Sequence, residues 1–155
     1  MSFELIIRKN AKIKSRQWWN KRLLKFKSIV QIVLSKKVKK LIKSSSCSIL
    51  ITNNKEIQKL NKKFRKINKP TDVLSFPQER IKNRIKKYLG DIVISTEKAM
   101  SQAKESKVLL EDEFIMLFVH GFLHLLGYDH KIKREAKIMF SLQNKITKKM
   151  KIKNK

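Results

Sequence analysis

The sequence predicts an α+β fold: one domain with a mixed sheet of about four strands packed with helices, and a metal-binding helix at its centre. Three observations lead there. The 155 residues have the length of one domain able to bury a core. Period-two and helical patterns follow one another as strand, helix, strand, helix, strand, strand and then helices, with no repeat and no linker long enough to divide residues 1–155. The segment from Glu111 to Leu126 is apolar nearly all round, which places it inside the fold.

Each element has its own local reason. Phe3 to Arg8 is short and rich in isoleucine, as a strand is. From Arg16 to Lys43 the residues Trp19, Leu23, Phe26, Val30, Val33, Leu34 and Leu41 recur at helical spacing with lysines between them, predicting one long basic amphipathic helix. Ser44 to Ser46 break that pattern, and Cys47 to Thr52 alternates with branched residues as a strand. Asn53 or Asn54 caps a helix running through Leu60 to Arg65. Pro70 marks a turn, Val73 to Phe76 reads as a short strand stopped by Pro77, and Gln78 to Lys87 as a basic polar connection. Leu89 to Ser95 is the clearest strand. Thr96 is the expected cap of a helix through Ala103, followed by the apolar helix and by an amphipathic one from Arg134 to Met150 carrying Ile138, Met139, Leu142 and Ile146. The lysine-rich end, residues 146–155, is expected to fray.

Composition narrows the partners. The formal charge of +27 points to a polyanion, nucleic acid first, because lysine and arginine beside phosphates release counterions and steer association. Only seven of the 39 basic residues are arginine, and a general drift toward lysine would inflate the charge without a functional cause. The single cysteine, Cys47, cannot form an internal disulfide and reads as a small buried strand residue in a reducing compartment. No basic-then-apolar leader appears at the N-terminus, and no apolar run approaches the ~18 residues of a membrane span, so a cytoplasmic protein without a membrane partner is expected.

All three histidines lie in one window, His120-Gly-Phe-Leu-His124-Leu-Leu-Gly-Tyr-Asp-His130. Residues four apart on a helix share a face, so His120 and His124 can offer imidazole nitrogens to one ion. Gly127 enters the left-handed region at little cost, ends the helix and lets His130 return toward the first two. Three neutral imidazoles leave a tetrahedral Zn²⁺ one open position, the catalytic arrangement, and zinc makes hydrolysis the natural chemistry. The spacing is that of the metzincin protease helix except that Gly121 stands where those enzymes carry the glutamate base, so a peptide substrate is not expected. A glycine there makes room either for a bulky substrate or for another chain segment packing close.

Three further segments complete a pattern: Leu60-Asn-Lys-Lys-Phe-Arg65, then Lys69-Pro-Thr-Asp-Val-Leu-Ser-Phe-Pro77, then Leu89-Gly-Asp-Ile-Val-Ile-Ser95. With the histidine window they resemble the YbeY family of single-strand-specific, metal-dependent endoribonucleases of bacterial rRNA maturation. The resemblance spans about residues 60–130, with one departure at Asn68, where an aspartate usually begins the segment. It implies that His120, His124 and His130 bind zinc and act in catalysis together with Arg65. The partners it implies are single-stranded RNA, the 16S rRNA with its 3′ end, and the small ribosomal subunit. A guanidinium suits the second role, since its fixed fork of donors matches phosphate; a salt bridge at a helix end is the plainer alternative for Arg65. Asp72, Asp91 and Asp129 can orient a histidine, accept a proton or merely tie backbone, and none is assigned to catalysis. Two other functions are carried beside the ribonuclease: a metzincin-like metallopeptidase lacking its glutamate, and a non-catalytic, ribosome-associated RNA-binding zinc protein.

Overall fold

The computed structural model describes residues 1–9, 11, 15–78 and 88–151. Strand β1 (Ser2–Ile7) leads to helices α1 (Arg16–Val33) and α2 (Lys36–Ile42), strand β2 (Ser46–Thr52) and helix α3 (Asn54–Arg65). Strands β3 (Val73–Pro77) and β4 (Tyr88–Ser95) follow, then helices α4 (Thr96–Glu105), α5 (Leu110–Leu125) and α6 (Lys133–Met150). The four strands form one mixed sheet in the order β1-β2-β4-β3, the first two pairings parallel and β3 antiparallel to β4. The expected α+β class and strand number are therefore found. Pro77 closes the ladder on β3, an edge strand, where its missing N–H costs no pairing.

Alternation along the strands divides the core. Ile49, Ile51, Ile92 and Ile94 face the large cluster made with α1 and α5, while Leu74 and Val93 turn to the other face and meet Ile57 of α3, with Leu50, Leu60 and Phe76 beside them. In the large cluster, Trp19, Phe26, Phe114, Phe118 and Phe122 are all under 2 % exposed and meet mostly edge to face, the preferred geometry for aromatic quadrupoles. The stripe of the first helix is this contact: Trp19, Leu23, Phe26, Val30 and Leu34 are buried as expected, with Val33 and Leu41 partly so. Cys47 lies in the same core, its thiol pushed up to about 12 by burial and then by Asp91. Among the described residues no helix is long and apolar enough to cross a membrane.

The structure departs from the sequence reading at the helix ends. The expected single helix from Arg16 to Lys43 is two, because Leu34 turns extended and Ser35 starts a new helix by accepting the Val38 amide on its hydroxyl. A serine side chain that satisfies a free amide competes with continuing the helix, and periodicity does not register the interruption. Ser95, not Thr96, caps α4 through the Lys98 amide; Thr96 is the first helical residue and is buried. Asn53 is the cap of α3, whereas Asn54 accepts the Ser95 hydroxyl at 2.7 Å. The end expected to fray from 146 is helical through Met150, with Ile146 and Met150 buried against the core. Residues 152–155, and nearly all of the connection expected over Gln78 to Lys87, lie outside the described residues.

Helix α5 approaches the sheet most closely at Gly121. A Cβ built there would lie 2.9 Å from Ile92 Cγ2 and 3.0 Å from Ser75 Oγ, and the Ser75 hydroxyl donates to the Gly121 carbonyl at 3.2 Å. The glycine thus serves close packing of α5 on β3 and β4. Gly121→Ala gains about 1 kcal/mol of helix propensity but costs about 1–3 kcal/mol in overpacking. We expect a lower urea midpoint; an unchanged or raised one would contradict this contact. Gly121→Glu, the zincin residue, is expected not to fold.

Candidate active site

The two helical ligands predicted from the sequence project from the last turns of α5, and the third returns by a helix-ending motif. Gly127 has φ +89°; its amide bonds the His124 carbonyl and the Tyr128 amide bonds the Leu123 carbonyl at 3.1 Å, the Schellman pairing. The loop then brings His130 back, its amide held at 2.7 Å by the Asp129 carboxylate. Asp129 therefore fixes the turn. Ligand atoms of His120, His124 and His130 all lie within 4.8 Å of one another.

The donor set fits a zinc-sized ion. The Nε2 atoms of His120 and His124 face each other at 3.1 Å, and tetrahedral Zn–N bonds of 2.0–2.1 Å hold ligand nitrogens about 3.3 Å apart. His120 Nδ1 lies 2.9 Å from Gln143 Oε1, an acceptor that keeps the ring proton on Nδ1 and leaves Nε2 bare. Burial first, then the neighbouring imidazoles of His120 and His130, hold His124 below the usual histidine range and so neutral, the form that ligates.

The cleft in front of these rings has a volume of about 400 Å³. Arg65, Thr71, Asp72 and Ser75 line one side, and Phe140 and Gln143 of α6 the other. Arg65 thus shares a cleft with all three histidines. Its side chain is exposed and, among the described residues, has neither an ion-pair nor a hydrogen-bond partner. It occupies the last position of α3, where Lys62, Lys63 and Arg65 oppose the negative end of the helix dipole. The turn beyond is tied by Asn61 Nδ2 to the Lys69 carbonyl at 2.8 Å and by Gln58 Nε2 to Asn68 Oδ1 at 3.2 Å. Asn68, where the family pattern has aspartate, keeps a local bond without a charge.

The remaining candidates separate. Asp72 lines the cleft but its oxygens are engaged, by the Val73 amide at 2.7 Å, the Thr71 hydroxyl at 3.1 Å and Gln102 Nε2 at 2.9 Å. Asp91 is not among the cleft residues and accepts the Tyr88 hydroxyl. Gln143 and Phe140 escape a reading of the sequence: they occupy an ordinary amphipathic helix, and only their three-residue spacing sets them apart.

This fold and cleft define a class, α+β enzymes with a group of three histidines, two on a helix and one on the loop after it, able to hold a metal and sharing a cleft with an arginine from another helix. The model of the family described as Endoribonuclease YbeY matches residues 10–151. The chain belongs to the YbeY endoribonuclease family and is an RNA-cleaving hydrolase. It is 42% identical over 141 residues to "Endoribonuclease YbeY" of Sulfurihydrogenibium sp. (strain YO3AOP1), covering 89% of this chain and 91% of that one. The Pelagibacter ubique (strain HTCC1062) protein of the same name is 44% identical over 140 residues, 87% of this chain and 91% of that one. The solution structure of TM1509 from Thermotoga maritima matches 97% of this chain and 89% of its own with a TM-score of 0.62 at 28% identity.

One buried acid lies close to this site. Glu113, only 6 % exposed and seven residues before His120 on α5, has its carboxyl raised above the usual range by burial and then by the Asp72 charge. A carboxyl raised in the folded state contributes stability below its unfolded value that is lost as pH rises through the folded one. Glu113→Gln is therefore expected to raise the melting temperature at alkaline pH and to remove part of its decline as pH rises above the ordinary carboxylate range. Equal melting profiles for variant and wild type would refute the assignment.

Proposed function

We propose that this endoribonuclease is zinc-dependent and single-strand-specific, acting in 16S rRNA 3′-end maturation and ribosome quality control in the cytoplasm. The observation that carries the reading is the meeting of three imidazoles and an arginine, its side chain unpaired among the described residues, in one cleft. When bound, zinc supplies Lewis acidity and makes water acidic enough to act near neutral pH. His120, His124 and His130 are the ligands. Arg65 binds the scissile phosphate and offsets the negative charge that builds on it during cleavage, its guanidinium already free of a competing carboxylate among the described residues. The Ser75 hydroxyl holds the Gly121 carbonyl, and Asp72 with Thr71 stiffens the turn after Arg65. Exposed Lys62, Lys63, Lys66 and Lys69, flanking Arg65 in the chain, supply cations for neighbouring phosphates.

A peptide substrate loses its support: Gly121 is filled in by Ile92 and Ser75, leaving no position for a glutamate base. Family membership in turn favours an enzyme over a purely structural zinc protein.

The reading is tested by incubating single-stranded RNA with zinc-loaded wild type and with His124→Ala purified identically. Cleavage should vanish in the variant, and Arg65→Ala should slow it roughly 10²–10³-fold with zinc still bound; equal cleavage by wild type and His124→Ala would expose a contaminant. Changing Lys62, Lys63 and Lys66 together to glutamine should flatten the dependence of RNA affinity on salt by about 0.7 in log–log slope for each phosphate no longer neutralised. An unchanged slope would remove these lysines from the RNA path.

A further inference from the structure

Two of the three histidines are held from a single helix outside the ligand motif. Gln143 and Phe140 are three residues apart, hence one turn apart on the same face of α6. Gln143 Oε1 accepts from His120 Nδ1 at 2.9 Å, and the Phe140 ring stacks on His130 with centroids 5.9 Å apart and planes at 11°. Both side chains line the cleft. His124, the third ligand, stands on α5 with His120.

Helix α6 is itself anchored elsewhere. Met139, Ile146 and Met150 are buried in the main core, and Lys25 of α1 donates to the carbonyls of Met150 at 3.1 Å and Lys151 at 3.2 Å. The helix position is thus set by apolar packing, and its cleft face presents one hydrogen-bond acceptor and one ring. The two contacts are complementary. An acceptor on Nδ1 fixes both the tautomer and the ring direction of His120, whereas a stacked aromatic fixes the ring plane of His130, which is exposed and comes from a loop. Without them each imidazole would have to be ordered at the moment of binding.

We propose that α6 is a positioning arm of the metal centre: Gln143 and Phe140 set the imidazole planes of His120 and His130, and docking of α6 is thereby coupled to metal binding. This rests on the reading that the three histidines hold zinc. Because coupling is reciprocal, an ion bound to His120 and His130 also holds α6 down. Gln143 and Phe140 meet the imidazoles rather than belonging to the three-histidine group, so both would act through His120 and His130.

The experiment is a zinc titration of the full chain against a chromophoric chelator, for wild type, Gln143→Leu, Gln143→Glu and Phe140→Ala, with metal-free melting temperatures and amide hydrogen exchange over residues 133–150 with and without zinc. Gln143→Leu should weaken zinc binding about 10- to 100-fold with its metal-free melting temperature unchanged. Gln143→Glu, which keeps the acceptor, should bind at least as tightly as wild type. Phe140→Ala should bind more weakly than wild type, and zinc should slow exchange across α6. Wild-type zinc affinity in Gln143→Leu would overturn the proposal while leaving the three-histidine reading intact. If Gln143→Leu also melts lower without metal, the wild-type exchange decides: unaltered α6 protection on adding zinc overturns the coupling. No zinc uptake by wild type itself would remove the metal reading and this inference with it.

Discussion

The contact on which the structure depends is the close approach of α5 to the sheet at Gly121. An apolar helix buried on most sides must lie against something, and here a missing side chain lets its backbone settle onto Ile92, Ser75 and Val73. At that depth the Ser75 hydroxyl reaches the Gly121 carbonyl, a bond that ties the rotation of the helix to β3. With the rotation fixed, His120 and His124 point into the space beside β3, and the chain leaving α3 delivers Arg65 to the same space. The position that in metzincins carries a chemical base carries packing here.

The electrostatics of the cleft run against those of the protein around it. In a chain of net charge +27, burial first and then the neighbouring imidazoles hold His124 below the usual histidine range. A cluster of imidazole nitrogens suits a cation and the lysines around it suit a polyanion, so different residue types gather in one place. The half-buried Asp72 and the buried Glu113 serve structure, the first by tying Thr71, Val73 and Gln102, the second at a cost in stability once it ionises.

Where the sequence was informative, the information was local. Strand alternation in Cys47 to Thr52 and Leu89 to Ser95 and the helical stripe from Trp19 to Leu34 all became core, because side-chain direction follows from backbone period. The misreadings were local too, yet beyond the reach of periodicity. The break at Leu34 and Ser35 and the shift of the cap from Thr96 to Ser95 turn on which hydroxyl accepts which amide, and serine and threonine look alike to a hydrophobic pattern. Burial of Met150 at the lysine-rich end expected to fray escaped notice because exposed lysines on one face of a helix say little about the other.

By itself the sequence determined the three histidines as a group: a four-residue helical spacing and a glycine that reverses the chain are properties of one continuous segment, needing no partner. It also marked Arg65, through a motif shared with a family, without the means to bring it to the histidines. Only the tertiary structure decided that these two segments, fifty-five residues apart between Arg65 and His120, open on the same cleft, why Gly121 has no side chain, and that Gln143 and Phe140 reach back from α6 to His120 and His130. The reason is physical. Contacts between elements depend on how deeply helices seat on the sheet and on the order of its strands, β1-β2-β4-β3, and neither is encoded in any single segment.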